Sequence, residues 1–267
     1  MTTFSSTLVE RATIDFQEAA GALKPYVGCF WVVTAEFGGS IHLVPDGSTA
    51  ISLQFEGGRA SCWLLRGPLL RPETRRYAPE TAVAGIRLRP AVAHLLSGIP
   101  AYEMVGRSLC LRELPAFQGL VAARPSPGTP AEAIDALQRF LLERLCHADV
   151  HPVVAAAIRE IQSAGGRLPI SEVAVRCGVS LRHLSRLMRI WVGYGPKRFA
   201  SIVRFQETLS RIESSRGRSA ALLAVESGFF DQAHLTANVK GLSGATPGDL
   251  AATYVAEFSK TRCDDTP

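Results

Sequence analysis

Apolar and polar positions alternate differently in the two halves of this 267-residue chain. Up to about residue 120 the apolar residues come in short runs: 29–37 (CFWVVTAEF), 48–58 (STAISLQFEGG), 60–67 (ASCWLLRG) and 82–90 (AVAGIRLRP). These runs are rich in β-branched and aromatic residues, and turn chemistry bounds them, with VPDGS at 44–48 and EGGR at 56–59. They predict strands, and four or more at this spacing predict a sandwich or barrel. Residues 122–130 (AARPSPGTP) read as a linker. Its end is a helix start, with Thr129 as N-cap, Pro130 at the first helical position and Glu132 three residues after the cap. Ile134, Leu137, Leu141 and Leu145 then repeat at helical spacing, and from here on the chain reads as helix.

Residues 170–189 (ISEVAVRCGVSLRHLSRLMR) break one amphipathic pattern with a glycine. Ser171 is expected to cap a short helix that runs to Cys177. Gly178 follows where that helix must stop, because the left-handed conformation is cheap for glycine. Val179 tucks under the turn, Ser180 caps the next helix, and that helix runs from Leu181 to Val192 with Leu184, Leu187, Met188 and Trp191 on one face. Ala174, four residues before the glycine, lets the two helices cross closely. The pattern is a helix-turn-helix, whose second helix enters the major groove. Arg182, Ser185, Arg186 and Arg189 form an outward stripe on that helix. Arginine can make paired hydrogen bonds to guanine, and serine donates or accepts.

The same grammar returns in residues 221–250, with Ala224 four before Gly228, Phe229 in the place of Val179, and Asp231 capping a helix that turns Leu235 and Val239 inward. Residues 195–214 between the copies predict one long helix that starts at Pro196 and carries Phe199, Ile202, Val203, Phe205, Leu209 and Ile212 as its apolar stripe. Such a joint would set two recognition helices to enter successive major grooves roughly 34 Å apart.

The two helix-turn-helix units, with GFFDQAHLTANVKGLSGATP at the second, resemble the AraC/XylS family of transcription regulators over about residues 152–254. The residues that carry the resemblance are Gly228 and Phe229, Asp231 and Gln232, Lys240, then Gly244, Thr246 and Pro247. The resemblance places base-reading residues at Arg182, Ser185 and Arg186 in the first unit, and at Gln232, Ala233, Thr236 and Ala237 in the second. Ala237 and Val239 depart from the family, which often has arginine and phenylalanine there. The first unit is therefore expected to carry most base readout, with Gln232 and Thr236 reading weakly and Lys240 and Arg189 touching the DNA backbone. Residues 43–48 (LVPDGS) and 85–114 resemble, less closely, the β-rich N-terminal domain of such regulators, which in the wider family is cupin-like and binds a small effector, dimerises, or does both. The fold class expected is α+β in two domains. A β-rich, cupin-like barrel or sandwich at 1–122 is followed by a linker at 123–130 and a connecting helix at 131–148. An all-α double helix-turn-helix domain at 149–257 and a tail at 258–267 complete the chain.

Charge fits this division. The formal net charge is +5, and between residues 170 and 218 Arg176, Arg182, Arg186, Arg189, Lys197, Arg198, Arg204, Arg211, Arg216 and Arg218 face only Glu172, Glu207 and Glu213. Concentrated basic charge is the footprint of phosphate binding, and Lys197 and Arg198 sit at a helix start beside free amides. Arg204 divides evenly between that role and a structural one.

The six cysteines form no CxxC, which argues against a disulfide framework or structural zinc. His42, His94, His147 and His151 are isolated, without the HxH pair a metal-holding cupin needs. Cys29 and Cys62 sit beside Phe30, Trp31 and Trp63 and read as core thiols rather than activated nucleophiles. Neither a signal peptide nor an apolar run of about 18 residues stands out, so a cytoplasmic protein is expected. The sequence thus predicts a non-enzymatic, sequence-specific DNA-binding regulator with no cofactor and no metal. Its expected partners are double-stranded DNA, RNA polymerase, a second copy of itself and a small-molecule effector, with no membrane. The rival readings are a protein-interaction module, and a metal- or small-molecule-binding cupin-like protein with only non-specific DNA affinity. Trp31, Phe55 and Trp63 are the aromatics an effector pocket would draw on, although filling the sheet core accounts for them more simply.

Overall fold

The computed structural model describes residues 7–122, 126–145, 148–214 and 231–250. Its first half is one antiparallel sheet of seven strands: β1 Thr7–Glu10, β2 Thr13–Glu18, β3 Val27–Leu43, β4 Thr49–Glu56, β5 Arg59–Arg66, β6 Glu73–Leu88 and β7 Ser108–Cys110. The order is β1-β3-β6-β4-β5-β7, and β2 also pairs with β3. The EGGR turn sets the β4–β5 register: Gly57 and Gly58 both have positive φ (52° and 74°), and Glu56 faces Arg59.

Two predicted strands are much longer than their apolar runs. β3 continues through Gly38 and Gly39 to Leu43, and β6 begins nine residues before Ala82, with Pro79 inside it. Gly38 (φ 76°) and Glu80 (φ 57°) bend both strands at the same level, where Phe37 faces Pro79. The bend has a consequence. Trp31 and Leu43 are twelve residues apart on β3, a span of roughly 40 Å if the strand ran straight, yet both line one cavity. The sheet is folded over its own face.

That face and its opposite have different fates. Phe30, Ile51, Leu53, Leu65, Ala84, Ile86 and Leu88 point to one side, where helix α4 (Pro130–Leu145) covers them with Ile134, Leu137, Phe140 and Leu141. The residue predicted to cap α4 does so: Thr129 Oγ1 accepts from the Glu132 amide at 3.2 Å, and the Glu132 carboxylate accepts from the Gly128 amide at 2.7 Å. The apolar stripe of α4 therefore belongs to the core of the sheet half. Phe55 and Trp63 fill this core, while Trp31 lies on the other face, its ring against Gly85, where a Cβ would come within 2.5 Å of it. Between β6 and α4 come the short helices α1 Val92–Ser97, α2 Ala101–Met104 and α3 Gln118–Val121.

The second half is helical: α5 Pro152–Ser163, α6 Ile170–Arg176, α7 Leu181–Val192, α8 Pro196–Ser214 and α9 Gln232–Ser243. Of the predicted stripe of α8, Phe199, Ile202, Phe205, Leu209 and Ile212 are buried and Val203 partly so, and α5, α6, α7 and α9 pack around them. No helix among the described residues is long and apolar enough to cross a membrane. Val44 and Ala91 of the sheet half share this helical core.

The two halves are tied by polar contacts as well. Gln206 Nε2 donates to Pro45 O at 2.7 Å, Arg198 Nη2 donates to Leu70 O, and His42 Nε2 lies 2.9 Å from Ser243 O.

Candidate DNA interface

The first helix-turn-helix is built by its turn. Gly178 has φ 67°, its amide donates to Val175 O, and the Val179 amide donates to Ala174 O, both at 3.0 Å. These two bonds make a Schellman termination, which fixes the angle at which the next helix leaves. Ser180 Oγ then accepts from the His183 amide at 3.2 Å and starts α7. The predicted cap at Ser171 is displaced: α6 begins at Ile170 after Pro169, and Ser171 sits exposed inside the first turn. Proline supplies the fixed φ that starts this helix without a side-chain cap.

Leu184, Leu187 and Met188 are buried, with Trp191 partly so, and this turns the opposite side of α7 outward. Arg182, Arg186 and Arg189 are exposed and Ser185 half-exposed. Arg186 Nη2 lies 3.4 Å from His183 Nδ1, and Arg189 lies 6.0 Å from the ring centroid of Tyr102. Among the described residues Arg182, Arg186 and Arg189 form no ion pair.

Other basic residues are spent inside the fold. Arg176 bridges Glu160 (2.9 Å) and Glu172 (2.6 Å), locking α5 to α6, and Arg211 pairs with Glu207 at 2.7 Å. Arg204 donates to Gly166 O at 2.7 Å, which resolves it as structural; burial, first, and the nearby Arg167 lower its pKa. Arg198, expected beside Lys197 on a phosphate, is half-buried against Leu70, so only Lys197 of that pair is exposed. Local sequence gives no sign of Arg198's role, because its partner lies 128 residues away.

In the second unit, Asp231 Oδ1 accepts from the His234 amide at 2.7 Å and caps α9, as predicted. Leu235 and Val239 are fully buried. Gln232, Ala233, Thr236, Ala237 and Lys240 share one shallow open surface, the small alanines leaving room beside the polar side chains. Asn238 Nδ2 donates to Ser201 Oγ at 3.0 Å and ties α9 to α8. The helix and turn predicted to precede it, with Ala224, Gly228 and Phe229, lie outside the described residues.

Cys29, His42, His94 and His151, on which a catalytic reading would draw, are otherwise engaged, and His147 lies outside the described residues. Burial pushes the Cys29 thiol up to about 11, the opposite of activation. His42 also lies 3.0 Å from Thr74 Oγ1, His94 packs edge-on against Trp191 with ring centroids 4.5 Å apart, and His151 accepts from the Val153 amide to start α5.

Residues 173–253 match the family model described as a helix-turn-helix domain, and residues 18–109 match a domain of unknown function, DUF6597. No curated protein matches the chain. Several solved structures resemble it. A transcriptional regulator with an AraC-type DNA-binding domain from Chromobacterium violaceum is 20% identical over 40% of this chain and 95% of its own, with a TM-score of 0.37. The C-terminal domain of AraT, a response regulator from Geobacillus stearothermophilus, is 22% identical over 39% and 86%, also at 0.37. ToxT from Vibrio cholerae is 8% identical over 93% and 98%, at 0.44. The helical half of this chain thus carries a helix-turn-helix domain of the AraC type, joined to a sheet-rich N-terminal domain of unknown function.

Proposed function

We propose that the chain is a sequence-specific DNA-binding transcription regulator without catalytic activity of its own. The observation that carries this reading is the outward stripe of Arg182, Ser185 and Arg186 on a helix whose departure angle is fixed by the Gly178 turn. An arginine stripe that makes no ion pair among the described residues is available to guanine edges. In this reading Gln232 and Thr236 contribute weaker base contacts, and Arg189, Lys197 and Lys240 touch phosphates. Arg198 leaves the set, because it holds the two halves together. The sheet half, with α4, receives a small-molecule effector in the cavity lined by Trp31. It also supplies the dimer contact, and the protein works in the cytoplasm with RNA polymerase.

Selection of bound sequences from a random duplex pool, at two salt concentrations, tests the reading. Wild type is expected to enrich a defined site, and Arg186→Ala to blur one or two positions of it at a cost of about 1–3 kcal/mol. The symmetry of the site reports whether a dimer binds. Enrichment of nothing, with weak binding that vanishes at higher salt, would reduce the basic face to a non-specific footprint.

A further inference from the structure

Four cysteines lie among the described residues. Cys29 is buried and Cys177 closes α6, but Cys62 on β5 and Cys110 at the end of β7 form a pair. Leu64 faces Cys110 across the antiparallel ladder, so Cys62 is the diagonal neighbour of Cys110 on the same face of the sheet. The two thiols hydrogen-bond to each other. Both side chains are half-buried, within reach of a small reagent. Diagonal neighbours of this kind stand about 7–8 Å apart at Cα, at the limit of what a disulfide spans. Here the ladder ends at the Leu64–Cys110 rung, and the chain leaves it in a single tight turn, Leu111–Glu113. The small approach that a bond requires is therefore open to Cys110. A bond made at that limit is readily reduced, the mark of a reversible disulfide rather than a structural one. Burial, first, and the bond to Cys110 raise the pKa of Cys62, against the pull of nearby Arg112. Cys62 thus keeps its proton, and the first attack on a reagent falls to Cys110.

Both strands lead from this pair to the surface on which α7 ends. β5 runs on through Arg66 to Gly67 and Pro68, and β7 is entered from Val105, Gly106 and Arg107. The two segments stay bonded beyond the ladder: the Gly67 amide donates to Arg107 O at 2.9 Å, and the Gly106 amide to Pro68 O at 3.0 Å. At the far end, Val105 and Pro68 are residues that a Cβ on Gly193 would meet, at 2.9 and 3.1 Å. The cysteines sit at one end of a two-stranded ribbon and the stop of α7 at the other.

We propose that Cys62 and Cys110 are a modification site, which a low-molecular-weight disulfide converts to an intramolecular disulfide that staples the ribbon on which α7 docks. In the first step the Cys110 thiolate attacks the reagent, the reagent's S–S bond breaks, one thiolate leaves and Cys110 carries a mixed disulfide. In the second step Cys62 gives its proton to solvent and attacks the Cys110 sulfur, and the second thiolate leaves. The two cysteines lose two electrons, the reagent gains them, and the two protons end on the two released thiols.

Equilibration of the full chain with excess oxidised glutathione, followed by acid quenching, unfolding, alkylation and peptide mass analysis, tests the site. Wild type is expected to yield peptides joined through Cys62 and Cys110, reopened by dithiothreitol. Cys62→Ser is expected to stop with glutathione on Cys110. In the wild type, two free thiols, two separate glutathione adducts, or a link from either residue to another cysteine overturns the proposal. The staple is read by hydrogen exchange of the Gly67 and Gly106 amides, which bond across the ribbon. They are expected to exchange at least about fivefold more slowly in the oxidised wild type than in the reduced, with no such slowing in Cys62→Ser under the same treatment. Equal exchange in oxidised and reduced wild type overturns the stapling even where the disulfide forms.

Discussion

Tyr194 shows how far a single polar atom can be isolated inside the fold. Its hydroxyl is buried without a partner among the described residues, and burial, with Asp46 nearby, raises its pKa. Removing an unsatisfied buried polar group relieves a desolvation cost, so Tyr194→Phe is expected to be neutral or stabilising by up to about 1 kcal/mol in urea unfolding. A loss larger than that would mean the hydroxyl already has a partner in solution. Gly178 makes the converse case. A Cβ there would meet nothing within 4 Å, so the whole penalty of Gly178→Ala comes from its φ of 67°. The expected loss is about 1 kcal/mol, with DNA affinity falling further if the exit angle of α7 changes. Cys29, with its thiol pushed up to about 11, is expected to resist iodoacetamide at pH 8 until the protein unfolds. Rapid alkylation of Cys29 in the folded protein would reopen a chemical role for it.

At the scale of elements, caps decide what was legible. Ser180 and Asp231 each accept from the amide three residues on, at the starts of the two predicted recognition helices. Ser180→Ala is expected to cost about 1 kcal/mol and to weaken DNA binding by fraying the end of α7 that carries Arg182, as hydrogen exchange of the first-turn amides would report. These helices could be read because a cap, a stop and a stripe are local signals. The sheet was legible only where it is apolar. β1, β2 and β7 escaped prediction because short strands such as Thr13–Glu18 are largely exposed and carry no clear alternation. The continuation of β3 past Gly38 was hidden because its glycines read as a stop, whereas here they bend a strand that stays paired. The stripe of α4 was visible, but not what it faces. The same limit hid Arg198, whose partner sits on another half of the chain. Of the predicted interface, Arg182, Ser185 and Arg186 lie as a stripe on α7, and Gln232, Thr236 and Lys240 gather on α9.

For the whole molecule the decisive feature is that the two halves share a core. The helical core includes Val44 and Ala91, and α1 and α2 lie against α7, with Trp191 between His94 and His151. The halves approach closely at Gly193, the left-handed stop of α7. Its φ is 100°, and a Cβ there would meet Val105 at 2.9 Å, Ala101 O at 3.1 Å and Pro68 at 3.1 Å. Two folded units joined only by a tether unfold independently, whereas units that bury a common apolar surface unfold together. Scanning calorimetry of the wild type is therefore expected to show a single transition, whose calorimetric and van't Hoff enthalpies agree. Gly193→Val places a β-branched side chain where there is neither room nor a suitable φ. Overpacking of this kind costs about 1–3 kcal/mol, and here the strain is relieved most directly by separating α7 from Pro68, Ala101 and Val105. The variant is expected to unfold in two transitions while each half keeps its secondary structure. If an effector in the cavity acts on the DNA-binding half through this contact, the same variant must still bind effector and duplex separately but lose the effect of one on the other. Two transitions in the wild type would show that the docking seen here does not join the halves thermodynamically.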